Sequence, residues 1–369
     1  MDLANQACSP ARARRRDALD FIFLPFPSQL GHENSSRKGY QMKRRDFGSK
    51  LFAHAVGTSG VVYGLTQAPA FAQEKYPGRP VRMIVPFPAG TAPDVSARFV
   101  AERMSKTLGQ SIIVDNKPGA STIVGAQQFV ATRADGYTVF YTANPTLSIN
   151  PHVYKKLPYQ VSDFVPVTRT LAIPFVVVVR PESKLVKLAD LIQEAKRSPG
   201  RLNYSSYGVA TAPHVAMAYF CNNADISMTH VPYKDGGLID LLGGSIDTAF
   251  SPVADVLQYL KTGKLRALAV SSATRIKSLP EVPAVAEMFP GFDGDSWHGL
   301  FLLKGTPQSV ADTLAAAVRG VTASEEFSRF LADMGLVPAG ESPAQFARFL
   351  TNDTGRWEKV VKANNISAE

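Results

Sequence analysis

Residues 81–115, VRMIVPFPAGTAPDVSARFVAERMSKTLGQSIIVD, decide how the chain is read. Val81–Phe87 is a short apolar run that breaks at Pro88 and Gly90, the pattern of a buried strand. Thr91-Ala92-Pro93-Asp94 follows: a capping residue, an early proline and an acid three positions on, close to a capping box. Val95, Phe99, Met104 and Leu108 then recur at near-helical spacing, and Gly109 stops the helix. Ser111–Asp115 reads as a second strand, Asn116–Ala120 as a turn, 121–133 as a helix and Thr138–Thr142 as a third strand. A β-α-β-α-β order implies a parallel sheet flanked by helices.

Beyond it, Phe175–Val179 is a wholly apolar strand, and Lys187–Arg197 is a short amphipathic helix. Strands at 202–205, 229–233, 247–250 and 265–270 alternate with helices at 213–222, 238–242 and 253–262. Trp297–Leu303 is one more apolar strand, followed by helices near 307–320 and 343–363. Two α/β series joined in this way predict two domains facing a cleft. The first is expected to comprise 73–175 plus 298–369, and the second 176–297. No sequence repeat of fixed period is visible.

A chain of 369 residues with 45% hydrophobic and 19% charged residues has ordinary globular usage. Its net charge is +9, and about half of that excess sits in residues 1–72. The remainder is too dilute to argue for nucleic acid and weakly favours an anionic ligand. From Met42, a basic start (Lys43, Arg44, Arg45), a mildly apolar stretch and Ala70-Phe71-Ala72 read as an export signal of twin-arginine type, cleaved near Ala72. Residues 1–41 read as an over-extended start. Cys8 and Cys221 are the two cysteines. Cys221 reads as a small buried apolar side chain.

Ligands of open α/β sheets bind beyond the carboxyl ends of strands, where helix N-termini favour anions. Four strand-to-helix loops lie in such places. They centre on Phe87, Pro88, Ala89, Gly90, Thr91 and Asp94; on Asn144, Pro145 and Thr146; on Ser206, Gly208, Ala210, Thr211 and His214; and on Tyr233 and Asp235. Their Gly, Ser, Thr and Pro content suits an anion held by backbone N–H and hydroxyl groups without a strong cation. Thr91 and Asp94 can equally serve only to cap their helix. Ser206 and His214 offer a hydrolase-type alternative in the same cleft, but no G-x-S-x-G elbow accompanies them. His214 otherwise reads as a capping or packing residue. Trp297, beside Asp295 and His298, reads either as a cleft residue or as a packed aromatic near a hinge. No metal-ligand spacing, P-loop or dinucleotide motif is present, so no cofactor is expected.

The run Tyr76–Gly90 with Asp94 and Ala97-Arg98 resembles the opening of the Bug (TctC-like) proteins, the periplasmic substrate-binding components of tripartite tricarboxylate transporters. Val114–Ala120, Asp135–Thr138, Ile149–Tyr159, Asp163–Val167, Val231–Lys234 and Asp240–Gly244 extend the resemblance over nearly all of 74–365. The resemblance implies a two-domain periplasmic-binding-protein fold of Venus-flytrap type with mixed or parallel sheets and two chain crossings. It implies a monomeric, non-enzymatic receptor for a small organic carboxylate that serves TctA/TctB-like membrane subunits or a sensor kinase. It also implies that the loops around Pro88–Thr91 and Asn144–Thr146 clamp one carboxylate, with Ser206–Thr211 and Tyr233–Asp235 closing from the second domain. Three features depart from the pattern: Gly90-Thr91 in place of Gly-Gly, Pro145-Thr146 in place of Gly-Thr, and a segment after Lys234 about two residues shorter. They remove flexibility where backbone must approach a ligand and alter the far wall, which puts the usual dicarboxylate ligand in doubt; the ligand's charge count is open because neutral-group clamps bind mono- and dicarboxylates alike.

Overall fold

A computed structural model describes residues 76–368. The expected export signal and the extension before it lie outside the described residues. In chain order the elements begin with β1 (Val81–Val85), α1 (Ala92–Leu108), β2 (Ile112–Asn116), α2 (Ile123–Val130), β3 (Thr138–Ala143), α3 (Asn150–Val153), β4 (Phe164–Ile173) and β5 (Phe175–Val179). Next come α4 (Leu188–Arg197), β6 (Asn203–Ser206), α5 (Ala212–Ala224), β7 (Thr229–Pro232), α6 (Leu238–Gly243), β8 (Thr248–Pro252), α7 (Val253–Lys261) and β9 (Arg266–Val270). The last are β10 (Ser296–Leu303), α8 (Gln308–Thr322), α9 (Glu325–Asp333), β11 (Val337–Pro338) and α10 (Pro343–Ala363).

The strands form two sheets, ordered β11-β4-β10-β3-β1-β2 and β7-β6-β8-β5-β9. The expected parallel core is present as β2-β1-β3, but β10 runs antiparallel between β3 and β4, so the first sheet is mixed. The second repeats the scheme: β7, β6 and β8 are parallel, and β5 runs antiparallel between β8 and β9. The chain crosses from one sheet to the other between β4 and β5, at Pro174, and returns between β9 and β10. This is the two-crossing, two-sheet architecture that the resemblance implies.

The sequence reading assigns no strand to 164–173 and no helix to 325–333. β4 is hidden by Pro166 and by the Thr and Arg residues that interrupt its apolar run, and its pairing with β10 is irregular at two places. Elsewhere periodicity works: in α1, Ala97, Val100, Ala101 and Met104 are buried, and Gly109 ends the helix at φ +69°. That face packs with Leu314, Val318 and Val321 of α8. On the other face of the sheet, Phe129, Phe140, Phe164, Trp297, Phe301 and Phe346 form an aromatic cluster. Cys221 is buried and burial pushes its thiol up to about 12, in keeping with a packing role.

Helix α10 ties the two halves together. Phe346 packs in the first sheet's aromatic cluster, whereas Trp357, Val360 and Val361 pack with α5 in the second sheet's core. Between them lies Asp353, 1% exposed. Its carboxylate accepts from Trp297 Nε1 at 2.8 Å, Trp357 Nε1 at 2.9 Å and an Arg356 guanidinium nitrogen at 2.5 Å. Trp297 is thus a packed aromatic and not a cleft residue. Asp353→Ala would strand the two buried indole N–H groups and remove one ion pair of Arg356, and should cost about 3 kcal/mol or more of unfolding free energy. Urea denaturation followed by tryptophan fluorescence checks this, and a loss under about 1 kcal/mol would remove Asp353 from this role.

Candidate functional site

A cleft of about 710 Å³ lies between the ends of the two sheets and is lined from both. From the first half come Phe87, Pro88, Gly90, Thr91, Ala92, the turn Gly119–Thr122, Pro145, Ser296 and His298; from the second come Phe175, Tyr207, Thr211, Ala212, Pro252 and Asp255. Of the residues expected from sequence, Phe87, Pro88, Gly90, Thr91, Pro145 and Thr211 line it. Ala89, Asp94, Asn144, Thr146, Ser206, Gly208, Ala210, His214, Tyr233 and Asp235 do not.

Two matched turns bring helix N-termini to the cleft. Thr91-Ala92-Pro93-Asp94 opens α1 and Thr211-Ala212-Pro213-His214 opens α5. In each, the threonine hydroxyl donates to a carbonyl three residues back, Pro88 O at 2.6 Å and Gly208 O at 2.7 Å. In each, the fourth residue accepts the backbone N–H four positions back: Asp94 from Gly90 at 2.8 Å, and His214 Nδ1 from Ala210 at 3.1 Å. Gly90 and Ala210 have φ +80° and +61°, the left-handed conformation that the turn needs. The expected hydroxyl clamp is therefore committed to shaping the turns. The backbone N–H groups of Ala92 and Ala212, at the first helical positions, have no acceptor among the described residues.

Asp94 is 2% exposed. Burial alone would raise its pKa, but the Arg98 guanidinium, the Gly90 N–H and the Asn116 amide hold it below the ordinary carboxylate value. Its role is to brace the Phe87–Gly90 loop, with Asn116 Nδ2 also donating to Phe87 O at 3.0 Å. Thr91 sits at φ −78°, ψ 161°, ordinary extended backbone. The left-handed position falls on Gly90, so the substitution at 91 introduces no strain. The expected loop Asn144–Thr146 is in fact the start of a π-helical turn, Pro145–Ile149, that leads into α3. Pro145 opens that turn, where a missing N–H costs little.

Thr146 stands behind the wall, fully buried. Its hydroxyl bridges those of Thr122 at 2.7 Å and Thr142 at 2.6 Å, while Tyr159 donates to its carbonyl at 2.7 Å. This network backs a feature the sequence reading divided between a turn ending at Ala120 and a helix starting at 121, whereas the helix begins at Ile123. Ala120, Ser121 and Thr122 all have positive φ, 44°, 48° and 76°. Three non-glycine residues in succession cost about 1–3 kcal/mol each, a kind of strain that concentrates at ligand sites. Turns of this type point successive N–H groups to one side. Only the preceding Pro118-Gly119 hints at it in the sequence. Asn144 Oδ1 accepts from Ser296 at 2.5 Å, while Asn144 Nδ2 and His298 Nδ1 are buried without partners among the described residues.

Ser206 and His214 do not form the hydrolase-type pair. Ser206 Oγ lies 2.7 Å from Nε2 of His230, a residue not singled out from sequence, and His214 stacks on the His230 ring at 3.9 Å. Neither Ser206 nor either of these histidines lines the cleft. Tyr233 and Asp235 build the far wall indirectly. A side chain at Gly236 (φ +83°) would fall 2.6 Å from the Tyr207 ring, so that loop buttresses Tyr207. The Tyr207 hydroxyl donates to Asp255 Oδ2, and burial, opposed by this bond, raises the Asp255 pKa.

The family described as tripartite tricarboxylate transporter family receptor (TctC) matches residues 96–366. A UPF0065 protein from the tcbD–tcbE intergenic region of Pseudomonas sp. strain P51 is 33% identical over 84% of this chain and 94% of its own length. A solved periplasmic transporter is similar over 80% of this chain and all of its own, at 34% identity and TM-score 0.70. Rpa4515 of R. palustris, solved with adipate, is 31% identical over 79% of this chain and 99% of its own, also with TM-score 0.70.

Burial holds His214 and His298 down at about 3, His214 with a further push from its neighbour His230, and burial holds His230 at about 4. The unfolded chain takes up protons on these rings near 6.5, so it binds more protons than the fold in that window. Stability should therefore decline as pH falls from about 6.5 towards 4, at most by about 1.4 kcal/mol per pH unit per ring. Denaturation at pH 7 and pH 5 checks this. His298→Asn should flatten the slope, and an unchanged slope would contradict the burial of that ring.

Proposed function

Since the chain belongs to the tripartite tricarboxylate transporter receptor family, we propose that it is a periplasmic solute-binding protein that captures a small organic carboxylate between its two halves. It binds reversibly, without chemistry or cofactor, and delivers its ligand to TctA/TctB-like membrane subunits or signals to a sensor. The observation that carries this reading is the pair of matched turns. Ala92 and Ala212 present open N–H donors from opposite walls, each at a helix N-terminus whose dipole favours an anion. The strained turn Ala120–Thr122 lies beside them. Neutral donors of this kind hold a carboxylate firmly only when water is excluded, which is the physical reason for two halves that close on a ligand.

The binding of adipate by a neighbour of the same fold and 31% identity supports the ligand class. A thermal-shift screen of mono-, di- and tricarboxylates and carboxylated aromatics tests it. A ligand at about 100 times its Kd should add about 2.7 kcal/mol and raise Tm by several degrees. No shift across the panel, with the protein shown to be folded, would sink the carboxylate reading. Ala92→Pro removes one donor at a position where proline suits a helix. It should weaken binding about tenfold with little effect on Tm, the worth of one hydrogen bond to a charged group.

A further inference from the structure

We infer that Asp255 is a specificity-determining residue of the cleft, and that it pairs with a cationic nitrogen carried by the ligand at the end remote from its carboxylate. This rests on the carboxylate reading above and adds the far end of the molecule. The two walls differ in charge. On the first half, the Ala92 N–H stands beside the strained turn Ala120–Thr122. The acid behind them, Asp94, is answered by Arg98 at 3.0 Å. That wall offers neutral donors and its acid is balanced, so the carboxylate belongs there.

On the second half, Asp255 lines the cleft from the first turn of α7. The Tyr207 hydroxyl on the same wall donates to it, and no lysine or arginine pairs with it among the described residues. The start of α7 and the Tyr207 bond suit an acid at this position, but neither supplies a full positive charge. Burial raises the Asp255 pKa against that bond, whereas Asp94 is held low by Arg98 and its other donors despite burial. The difference is the missing cation. Closure on a ligand removes more water from Asp255, so its charge grows costlier unless the ligand brings the counter-ion. Phe87, Phe175 and Leu336 make much of the remaining wall apolar, which suits a hydrocarbon spacer between two charged ends. A dicarboxylate can still reach the open N–H of Ala212; what Asp255 adds is a gain for a cation.

Titration calorimetry of the full chain at pH 7 with 5-aminopentanoate, hexanoate, 2-aminohexanoate and 5-aminopentanamide separates the claims. The first two have the same length and differ in an ammonium for a methyl group. The ammonium should tighten binding at least about tenfold, a difference of about 1.4 kcal/mol. Hexanoate binding as tightly as 5-aminopentanoate overturns the inference and leaves the carboxylate reading standing. An equal gain for 2-aminohexanoate, whose ammonium adjoins its carboxylate, overturns the remote placement. 5-Aminopentanamide matching 5-aminopentanoate overturns the carboxylate reading beneath the inference. No binding of any of the four overturns the inference, and the thermal-shift panel then decides the carboxylate reading by itself. Asp255→Asn keeps an oxygen to accept from Tyr207 and removes the charge. With its fold verified by circular dichroism, it should reduce the gap between 5-aminopentanoate and hexanoate to about twofold or less. An unchanged gap overturns the assignment to Asp255.

Discussion

The cleft depends on a backbone turn made twice. A residue at the third helical position reaches back to the N–H four residues upstream and closes the loop that leads into its own helix. Asp94 does this for α1 and His214 for α5. Each closure fixes a left-handed residue, Gly90 or Ala210, and aims a helix N-terminus at the space between the sheets. The two turns share Thr-Ala-Pro but differ in the closing group. One is a carboxylate held charged by Arg98 and Asn116, the other an imidazole kept neutral by burial. The N-terminus of α1 therefore already has an acid nearby, whereas that of α5 does not.

A cleft between two sheets is useful only if the sheets hold a defined relation. Two strand-to-strand crossings and helix α10 provide it. The crossing from β4 to β5 spends a single residue, Pro174, between strands of different sheets. Helix α10 then places aromatic residues in both cores, and the buried Asp353 carboxylate joins Trp297 of the returning strand to Trp357 of the helix. Burying such a charge is costly unless every lone pair is answered. Here two indoles and a guanidinium answer it, which gives the junction directional bonds rather than hydrophobic contact alone.

The apolar walls and the neutral donors act together. A carboxylate gives up water to bind backbone N–H groups, and the surrounding Phe87, Phe175 and Leu336 keep water from competing for them. The same low-polarity surroundings strengthen each hydrogen bond to the anion and penalise any second charge left without a partner.

The sequence by itself determined most of the secondary-structure order, the two α/β series, the family and several of the loops at the cleft mouth. Each is encoded in local signals: apolar periodicity in α1, the Thr-x-Pro helix starts, and long ordered motifs from Tyr76 to Tyr159. It did not disclose β4, whose Pro166 and polar residues are tolerated only because β10 pairs along it. Nor did it disclose the left-handed turn Ala120–Thr122, since nothing in Ala-Ser-Thr calls for positive φ and a buried hydroxyl chain through Thr146 supports it. His230 went unnoticed because it reaches Ser206 through the parallel pairing of β6 with β7, a contact 24 residues distant in sequence. Only the tertiary structure decided which loop residues face the ligand space and which brace it. Orientation at a strand-to-helix junction is set by what packs behind the turn, and that information lies in distant parts of the chain.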